Sequence, residues 1–388
     1  MNDLDLSHNE LTSVRNLSAL PSLSAVNLNF NQLTGIDFPA PLFNLRSLKL
    51  SNNHLRSLDV GVLPSLALLY LDQNSLSTVS GLDQCHNLDV LSAREQIGSV
   101  EQFDIDLGLV KDIRKVFLSS NKLSLASVSP SAPLLRLQLL DIASCKLESL
   151  PEEFALNFPN VKVLNLNFNA LTGITELASM KCLSRLTVAG NRITRMRKLC
   201  QALSRIGRTS KNSTCSLHKV DLRGNPLTVR FYAPAVTGSG RDENKKLHAK
   251  EAVNRDREHA RGNKIGLDLT AALADIRQSE NIAHPALWGE DGEMPDQDRE
   301  REIEINDPYT LPPGDSQADM KYFSHLDEPT RLRRRILELM IYAGTGGSVK
   351  SLDGLILQPR LEAGSDMDHA WTKLEKLGVL RRKAISAS

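Results

Sequence analysis

One stretch of the sequence is spaced like a phosphate-binding loop, Gly344-Thr-Gly-Gly-Ser-Val-Lys-Ser351. In such a loop, glycines bring backbone N–H groups close to the phosphates, and the lysine directly follows a glycine. Here Val349 stands directly before Lys350, and the preceding pattern is that of a helix, whereas a phosphate loop follows a strand. We therefore interpret the stretch as a flexible corner between a helix and a strand, not as a nucleotide site.

Other side chains capable of chemistry do not form groups in the sequence. The nine histidines are scattered, and none pairs with Cys, Asp or Glu at the spacing of metal ligands. A Gly-x-Ser-x-Gly nucleophile motif is absent from the sequence. The cysteines are odd in number, and we interpret them as reduced thiols of a cytosolic or nuclear protein. The sequence therefore predicts no catalytic residue, no metal, no cofactor and no small-molecule substrate, and hence a protein that is not an enzyme.

Composition narrows the choice of partners. The chain has 388 residues, of which 41% are hydrophobic and 4% aromatic, and its formal net charge is +1. General nucleic-acid binders are usually strongly basic, so this charge argues against nucleic acid as a partner. The sequence also lacks an apolar run of about 18 residues, the length that a membrane-spanning helix needs. Other proteins are the partners that remain.

The strongest pattern in the chain is a repeated L-x-L-x-x-N-x-L motif, as in 161–171. The two leucines alternate on a short strand and point inward, and the Asn then turns the chain. Its amide can pair with backbone groups that would otherwise be buried without partners. The predicted turn positions are Asn9, Asn31, Asn53, Asn74, Asn121, Cys145, Asn169, Asn191 and Asn225, with Cys replacing Asn once.

This period predicts an α/β fold, a leucine-rich-repeat solenoid of about ten repeats of ~22 residues with a parallel concave sheet. The return legs have leucines three residues apart, which favours short helices or 3₁₀ turns on the convex side. A weak copy carries Gln96 at the turn, and 92–112 is irregular. No polar cap precedes the first repeat, so we expect a fragment of a longer protein or an exposed apolar end.

Composition divides the chain into four predicted segments. Residues 1–237 form the solenoid, 238–325 are a polar and largely disordered insertion, 326–360 contain the C-terminal cap helix and last strand, and 361–388 contain a C-terminal helix and tail. The insertion splits the cap and is acidic in its second half, with two Lys or Arg against eleven Asp or Glu in 281–320. We expect the last helix, which contains Trp371, to cover the end of the solenoid rather than bind a partner.

Because the sequence predicts no catalytic residues, we expect the function to lie on the concave face, where the outward side chains of the strands form columns. These columns should be polar, but apolar residues interrupt them in mid-array, and such patches mark interaction sites. Basic residues flank the patch and could meet an acidic or phosphorylated partner, or the chain's own acidic insertion. The alternative is that 92–112 or the insertion folds over the patch. The predicted protein-binding residues are Leu68, Tyr70, Val90, Lys115, Phe117, Leu139, Val163, Arg185, Lys219 and Arg223.

The C-terminal part carries a narrower resemblance. Its motifs are the run Phe323-Ser-His-Leu-Asp-Glu-Pro-Thr-Arg331, the split-cap segment Leu352-Asp-Gly-Leu355, and the Trp371-x-x-Leu374 helix. With the repeats, they resemble the C-terminal region of the fungal spindle-pole-body scaffolds of the septation initiation and mitotic exit networks, which are related to centriolin. The resemblance covers nearly the whole chain.

This resemblance implies a non-enzymatic scaffold module that anchors a GTPase and kinase cascade of mitotic exit and septation. It also implies localisation in the cytoplasm and cytoskeleton, at the spindle pole body, with an anchor protein and signalling components as partners. The alternative from the repeats alone is a regulatory subunit of a phosphatase or of a ribonucleoprotein complex. The insertion and the Trp371 helix favour the first hypothesis, because simpler regulators end soon after an uninterrupted cap.

Overall fold

The computed structural model describes residues 2–14, 17–96, 102–123, 126–208, 215–233, 309–359 and 361–379. The described residues of 1–232 and 305–388 form one compact unit. The predictions made for the 238–325 insertion fall mostly outside the described residues, and its predicted disorder stays a prediction.

The concave side of the molecule is a twelve-stranded sheet in the order β1-β2-β3-β5-β7-β8-β9-β10-β11-β12-β13-β14, and β4 pairs with β6 in a second sheet. Neighbours in the large sheet are parallel except for the last pair, β13 and β14. The strands are β1 (Asp3–Asp5), β2 (Ala25–Asn27), β3 (Ser47–Lys49), β4 (Ser57–Asp59), β5 (Leu68–Tyr70), β6 (Thr78–Ser80), β7 (Val90–Ser92), β8 (Lys115–Phe117), β9 (Leu139–Asp141), β10 (Val163–Asn165), β11 (Arg185–Thr187), β12 (Lys219–Asp221), β13 (Ser351–Leu352) and β14 (Leu355–Ile356).

The middle residue of each concave strand points into the core. Val26 pairs in register with Leu48, and Leu48 with Leu69, so the same repeat position is buried at every level. Eight regular turns of 21–25 residues link the first nine strands of the large sheet, and a 34-residue leg then leads to β12. The predicted leucine-rich-repeat solenoid is confirmed, but about ten repeats slightly overstates its regular part, because the last leg has a different length.

The convex side returns the chain through short elements. The predicted 3₁₀ turns occur at Leu17–Ala19, Leu82–Gln84, Leu107–Leu109, Ala126–Val128 and Thr175–Leu177. Helices α1 (Phe154–Asn157) and α2 (Met196–Leu203) occupy two of the return legs. The convex pair β4 and β6 was not predicted. Its centres Leu58 and Val79 are buried, so these legs are extended for the same reason as the concave strands.

The C-terminal cap consists of α3 (Ser316–Ser324), α4 (Glu328–Gly344), β13, β14 and α5 (Asp366–Lys376). Asp315, Asp327 and Ser365 accept backbone N–H groups at the starts of these three helices. Helix α4 adds Leu337 and Ile341 to the solenoid core.

Helix α5 does not cover the end of the solenoid as the sequence predicts. Its buried residues Met367, Ala370 and Leu374 form a separate cluster with Leu339 of α4. The solenoid end is already covered by α4, which lies beside α2. Trp371 is only partly buried at the edge of that cluster. The second cluster therefore gives the cap a small core of its own.

The stretch 344–351 connects α4 to β13. Gly344 ends the helix, and Gly346 and Gly347 adopt left-handed conformations that L side chains rarely take. The stretch therefore follows a helix and leads to a strand, which is the reverse of the order around a phosphate loop.

Candidate protein-binding face

The turn residues hold neighbouring repeats together beneath the concave face. Asn53 shows the pattern: its Nδ2 donates to the carbonyls of Leu28 and Leu50, both at 3.0 Å, and its Oδ1 accepts the N–H of Leu33 at 3.0 Å. One amide thus satisfies three backbone groups from two repeats. Asn31, Asn74, Asn169, Asn191 and Asn225 make the same kinds of contact.

Three other turn positions depart from this pattern. Asn9 lies at the exposed start of the array and bonds within its own repeat. Cys145 donates its thiol to the Leu118 carbonyl at 3.2 Å, and burial raises its pKa, so the thiol stays protonated. Gln96, in the weak copy, reaches the Leu71 carbonyl at 2.9 Å and accepts from Leu76 N–H at 3.0 Å. The longer amide therefore fills the place of Asn.

The predicted concave residues lie on one face of the sheet, and they differ in exposure. Val90 and Phe117 are buried, with 6% and 8% of their surface exposed. Burial also raises the pKa of Tyr70 to about 12. The partly exposed members are Leu68, Tyr70, Lys115, Leu139, Val163, Arg185, Lys219 and Arg223. An accessible surface therefore remains around β5 and along the rim, but its centre is covered.

Arg94 covers the centre of the apolar patch. Its guanidinium lies 4.6 Å from the ring centre of Phe117 and forms an ion pair with Asp141 at 2.7 Å. The backbone N–H of Arg94 donates to Asp72 Oδ1 at 2.8 Å. Arg94 is therefore held at its backbone and at its guanidinium. One face of the guanidinium lies on Phe117, which favours a second aromatic ring at the opposite face.

Tyr309 supplies that second ring, and residues 309–314 cross the concave face. The Arg94 guanidinium lies 5.5 Å from the ring centre of Tyr309, which is 4% exposed. Tyr309 donates its hydroxyl to Glu95 Oε1, and burial together with the nearby Glu95 charge raises its pKa. The end of the predicted insertion therefore covers part of the apolar patch, which is one of the two alternatives that the sequence left open.

The backbone of this segment is held by side chains of the sheet. The Tyr309 carbonyl accepts from Asn165 Nδ2 at 3.2 Å and from Asn167 Nδ2 at 2.9 Å. Farther on, Arg223 Nη1 donates to the Pro312 carbonyl at 2.8 Å. Among the predicted residues, Arg223 bonds the segment directly and Phe117 is linked to it through Arg94. Leu68 and Tyr70 lie outside its described contacts.

Sequence reasoning missed several residues of this face. Arg94, Glu95, Asn165 and Asn167 did not stand out among polar columns, and Tyr309 lies in the segment assigned to the insertion. One available signal was the repeated Asn of Asn165-Leu-Asn167, because amides pointing from a strand can pair with the backbone of a bound segment.

Within the described ranges, no group of three or more His, Cys, Asp or Glu is placed to hold a metal ion. Cys85, Cys145, Cys182, Cys200 and Cys215 are all free thiols. Over the same ranges, none of the helices combines the length and apolar character needed to span a membrane.

Three features define a leucine-rich-repeat solenoid: the parallel concave sheet, the short convex legs, and the series of turn Asn residues that bond neighbouring repeats, which we call the Asn ladder. A family model described as leucine rich repeat matches residues 136–193. Over 239 residues, the chain is 29% identical to the septation initiation network scaffold protein cdc11 of Schizosaccharomyces pombe. This match covers 62% of the chain and 22% of the scaffold protein. The similarity agrees with the resemblance seen in the motifs.

Two further similarities concern the repeats. The chain is 29% identical over 203 residues to chaoptin of Drosophila melanogaster, a match that covers 50% of the chain and 14% of chaoptin. The chain therefore spans less than a quarter of the length of either of these curated relatives. Among solved structures, an internalin (inlF) of Listeria monocytogenes shares 19% identity at a TM-score of 0.42, over 57% of this chain and 67% of that one.

Proposed function

We propose that this chain is a non-enzymatic, protein-binding scaffold module whose concave face holds extended segments of other proteins. The observation that supports it is the course of residues 309–314. This face already holds a segment of the chain through side-chain bonds to the Tyr309 and Pro312 carbonyls. Bonds to carbonyls do not depend on the side chains of the bound segment, so the same surface suits partner segments.

The accessible part of the face provides the anchor for a partner. Tyr70 and Leu68 lie on β5, next to the covered centre, and both stay partly exposed. A rigid sheet loses little conformational entropy on binding, and large aromatic side chains at an interface centre typically contribute about 2 kcal/mol or more. We therefore assign the principal contact to Tyr70.

The specific role that we propose is to anchor a GTPase and kinase cascade of mitotic exit and septation at the spindle pole body. Support comes from the motifs of the C-terminal part and from the similarity to cdc11, which is named as a scaffold of the septation initiation network. The proposed partners are a spindle-pole anchor protein and signalling components, and the proposed location is the cytoplasm and cytoskeleton, at the spindle pole body.

The test is recruitment of the tagged full-length protein to spindle poles in dividing cells. Leu68→Ala combined with Tyr70→Ala should abolish recruitment, because the double change removes the exposed apolar contact. Phe43→Ala is the matched control, since Phe43 is 66% exposed on a convex leg. A melting curve must show that each variant is folded. Normal recruitment of the folded double variant would contradict the concave-face assignment and direct attention to the cap and Trp371.

A further inference from the structure

We propose that the concave face contains an aromatic socket, formed by Arg94, Glu95, Phe117, Asn165 and Asn167, that binds an unphosphorylated tyrosine within an extended peptide. Tyr309 occupies it from within the chain, and a partner peptide with the same chemistry occupies it in exchange. This inference rests on the proposed function and deepens it, because it states which kind of segment the face binds.

The socket recognises two features of its ligand. The first is the tyrosine ring, which lies beside the Arg94 guanidinium, itself stacked on Phe117. The second is the phenol O–H, which donates to the carboxylate of Glu95. A phenylalanine would leave Glu95 Oε1 without its donor. A phosphotyrosine would place its phosphate next to the carboxylate of Glu95, and the two negative charges would repel each other. The geometry thus selects tyrosine over both.

The walls of the socket are held by the solenoid and not by Tyr309. Arg94 is fixed by Asp141 at 2.7 Å. Asn165 Oδ1 accepts from Thr187 Oγ1 at 2.9 Å, and Asn167 Oδ1 accepts from Ala189 N–H at 2.7 Å. These bonds leave the two Nδ2 groups directed at the ligand carbonyl. Because the walls have their own partners, the socket should keep its shape when Tyr309 leaves, which is the condition for binding a second ligand.

The intrachain ligand is attached in a way that permits exchange. After Tyr309, the next described anchors are the carbonyl of Pro312 and the N–H of Gly314, which donates to the Gly354 carbonyl at 3.1 Å. Pro312 and Pro313 are exposed and have no backbone N–H to leave unpaired. A tethered ligand competes through its high effective concentration, so an external peptide must bind better than it would to an empty socket.

The experiment measures peptide binding to the full-length protein by fluorescence anisotropy. The probe is a labelled peptide with the sequence of residues 306–316, which contains Tyr309 together with Pro312 and Pro313. It should bind Tyr309→Ala protein, whose socket is empty, and bind wild-type protein at least tenfold more weakly, because Tyr309 competes. The titration should extend to a protein concentration of about 1 mM, so that millimolar dissociation constants are still measured.

Matched peptides and variants test the assignment. The same peptide with alanine or phosphotyrosine in place of the tyrosine should bind Tyr309→Ala protein at least tenfold more weakly. Adding Glu95→Ala to Tyr309→Ala should also weaken binding of the tyrosine peptide. Glu176→Ala, at a partly exposed carboxylate of a convex leg, is the control and should have no effect. Melting curves show whether each variant is folded.

Failure of this inference can be told apart from failure of the proposed function. If folded Tyr309→Ala protein does not bind the tyrosine peptide, the socket is internal packing and the inference is wrong, whatever the recruitment result. Equal binding of the tyrosine and phosphotyrosine peptides would also overturn it, because the role of Glu95 would be lost. Recruitment that depends on Leu68 and Tyr70 would still support the scaffold role in either case.

Discussion

The solenoid and the C-terminal cap bury polar groups by different chemistry. In the solenoid, neutral amides repeat at one position, and each bonds backbone groups of its own and the preceding repeat, as Asn53 and Asn74 do. In the cap, most of the buried polar residues are charged side chains that occur once. Arg334 and Glu338 are 4% and 5% exposed, and Asp353 is 1% exposed.

The charged cluster of the cap has Arg334 at its centre. Its guanidinium donates to Asp319 at 2.8 and 2.7 Å, to Glu338 at 2.9 Å and to the Phe231 carbonyl at 2.9 Å. It thereby links α3 and α4 to the end of the repeats. A repeated neutral hydrogen bond can be extended level by level along the solenoid, whereas the cap, which occurs once, fixes its geometry by a paired charge.

The largest expected effect is at Arg334. Arg334→Met removes a partner of the buried Glu338, of the partly exposed Asp319 and of the Phe231 carbonyl, so the free energy of unfolding should fall by about 3–5 kcal/mol. Arg335→Met is the matched control, because Arg335 is more exposed and donates to Glu338 alone among its described hydrogen bonds, which predicts a loss of about 1 kcal/mol or less. Urea denaturation measures both, and equal losses would show that the charged cluster does not determine cap stability.

The next effect is at the Asn ladder. Asn53→Ala leaves the buried N–H of Leu33 without its described partner and removes one of the two amide donors to each of the carbonyls of Leu28 and Leu50. An unsatisfied buried group costs about 1–3 kcal/mol, so a loss of about 2 kcal/mol is expected. Asn9→Ala removes a similar side chain at the exposed first turn and should cost less than about 0.5 kcal/mol. Thermal melts of the two variants test the difference, and a similar shift in both would contradict the assigned role of the ladder.

A smaller, pH-dependent effect is expected at Asp353. Burial, followed by the charge of Asp221, raises its pKa from 3.8 to about 7. Between these pH values the folded state binds the proton more tightly than the unfolded state, so stability contributed by this group falls as pH rises from about 4 to about 7. The ionised carboxylate is therefore unfavourable at pH 8, although its Oδ1 accepts the N–H of Leu222 at 2.5 Å.

Asp353→Asn keeps this acceptor and removes the charge. It should raise the free energy of unfolding by about 1 kcal/mol at pH 8, which is a modest fraction of the free energy that corresponds to this pKa shift. The gain should shrink below pH 7, where wild-type Asp353 is protonated. Melts at pH 5 and pH 8 provide the check, and a loss of stability at pH 8 would show that the charge is needed.

Much of the solenoid could be predicted because its signals are local and repeated. The leucine pairs and the turn residues recur every 21–25 residues, and each copy predicts the same strand and turn. The prediction failed where the period changed. The 34-residue leg before β12 lowers the number of regular turns below the predicted ten repeats. The convex legs that contain β4 and β6 have apolar residues three positions apart, a spacing that also suits the 3₁₀ turns predicted there.

The centre of the concave face was harder to predict because its contacts are remote in sequence. The columns placed Phe117 and Arg223 on this face correctly, since strand alternation fixes which side a residue occupies. The contact of Tyr309 with Glu95 joins residues 214 positions apart. No period links such residues, so the sequence left open whether the insertion covers the patch.

Site-specific photo-crosslinking in dividing cells tests the central claim, that the concave face binds a partner protein, most directly. A photoreactive phenylalanine analogue is placed at the position of Tyr70 on the concave face or, as control, at the position of Phe43 on the convex side. The proposed account predicts an adduct with a spindle-pole protein from position 70 and none from position 43. Adducts from position 43 alone would contradict it.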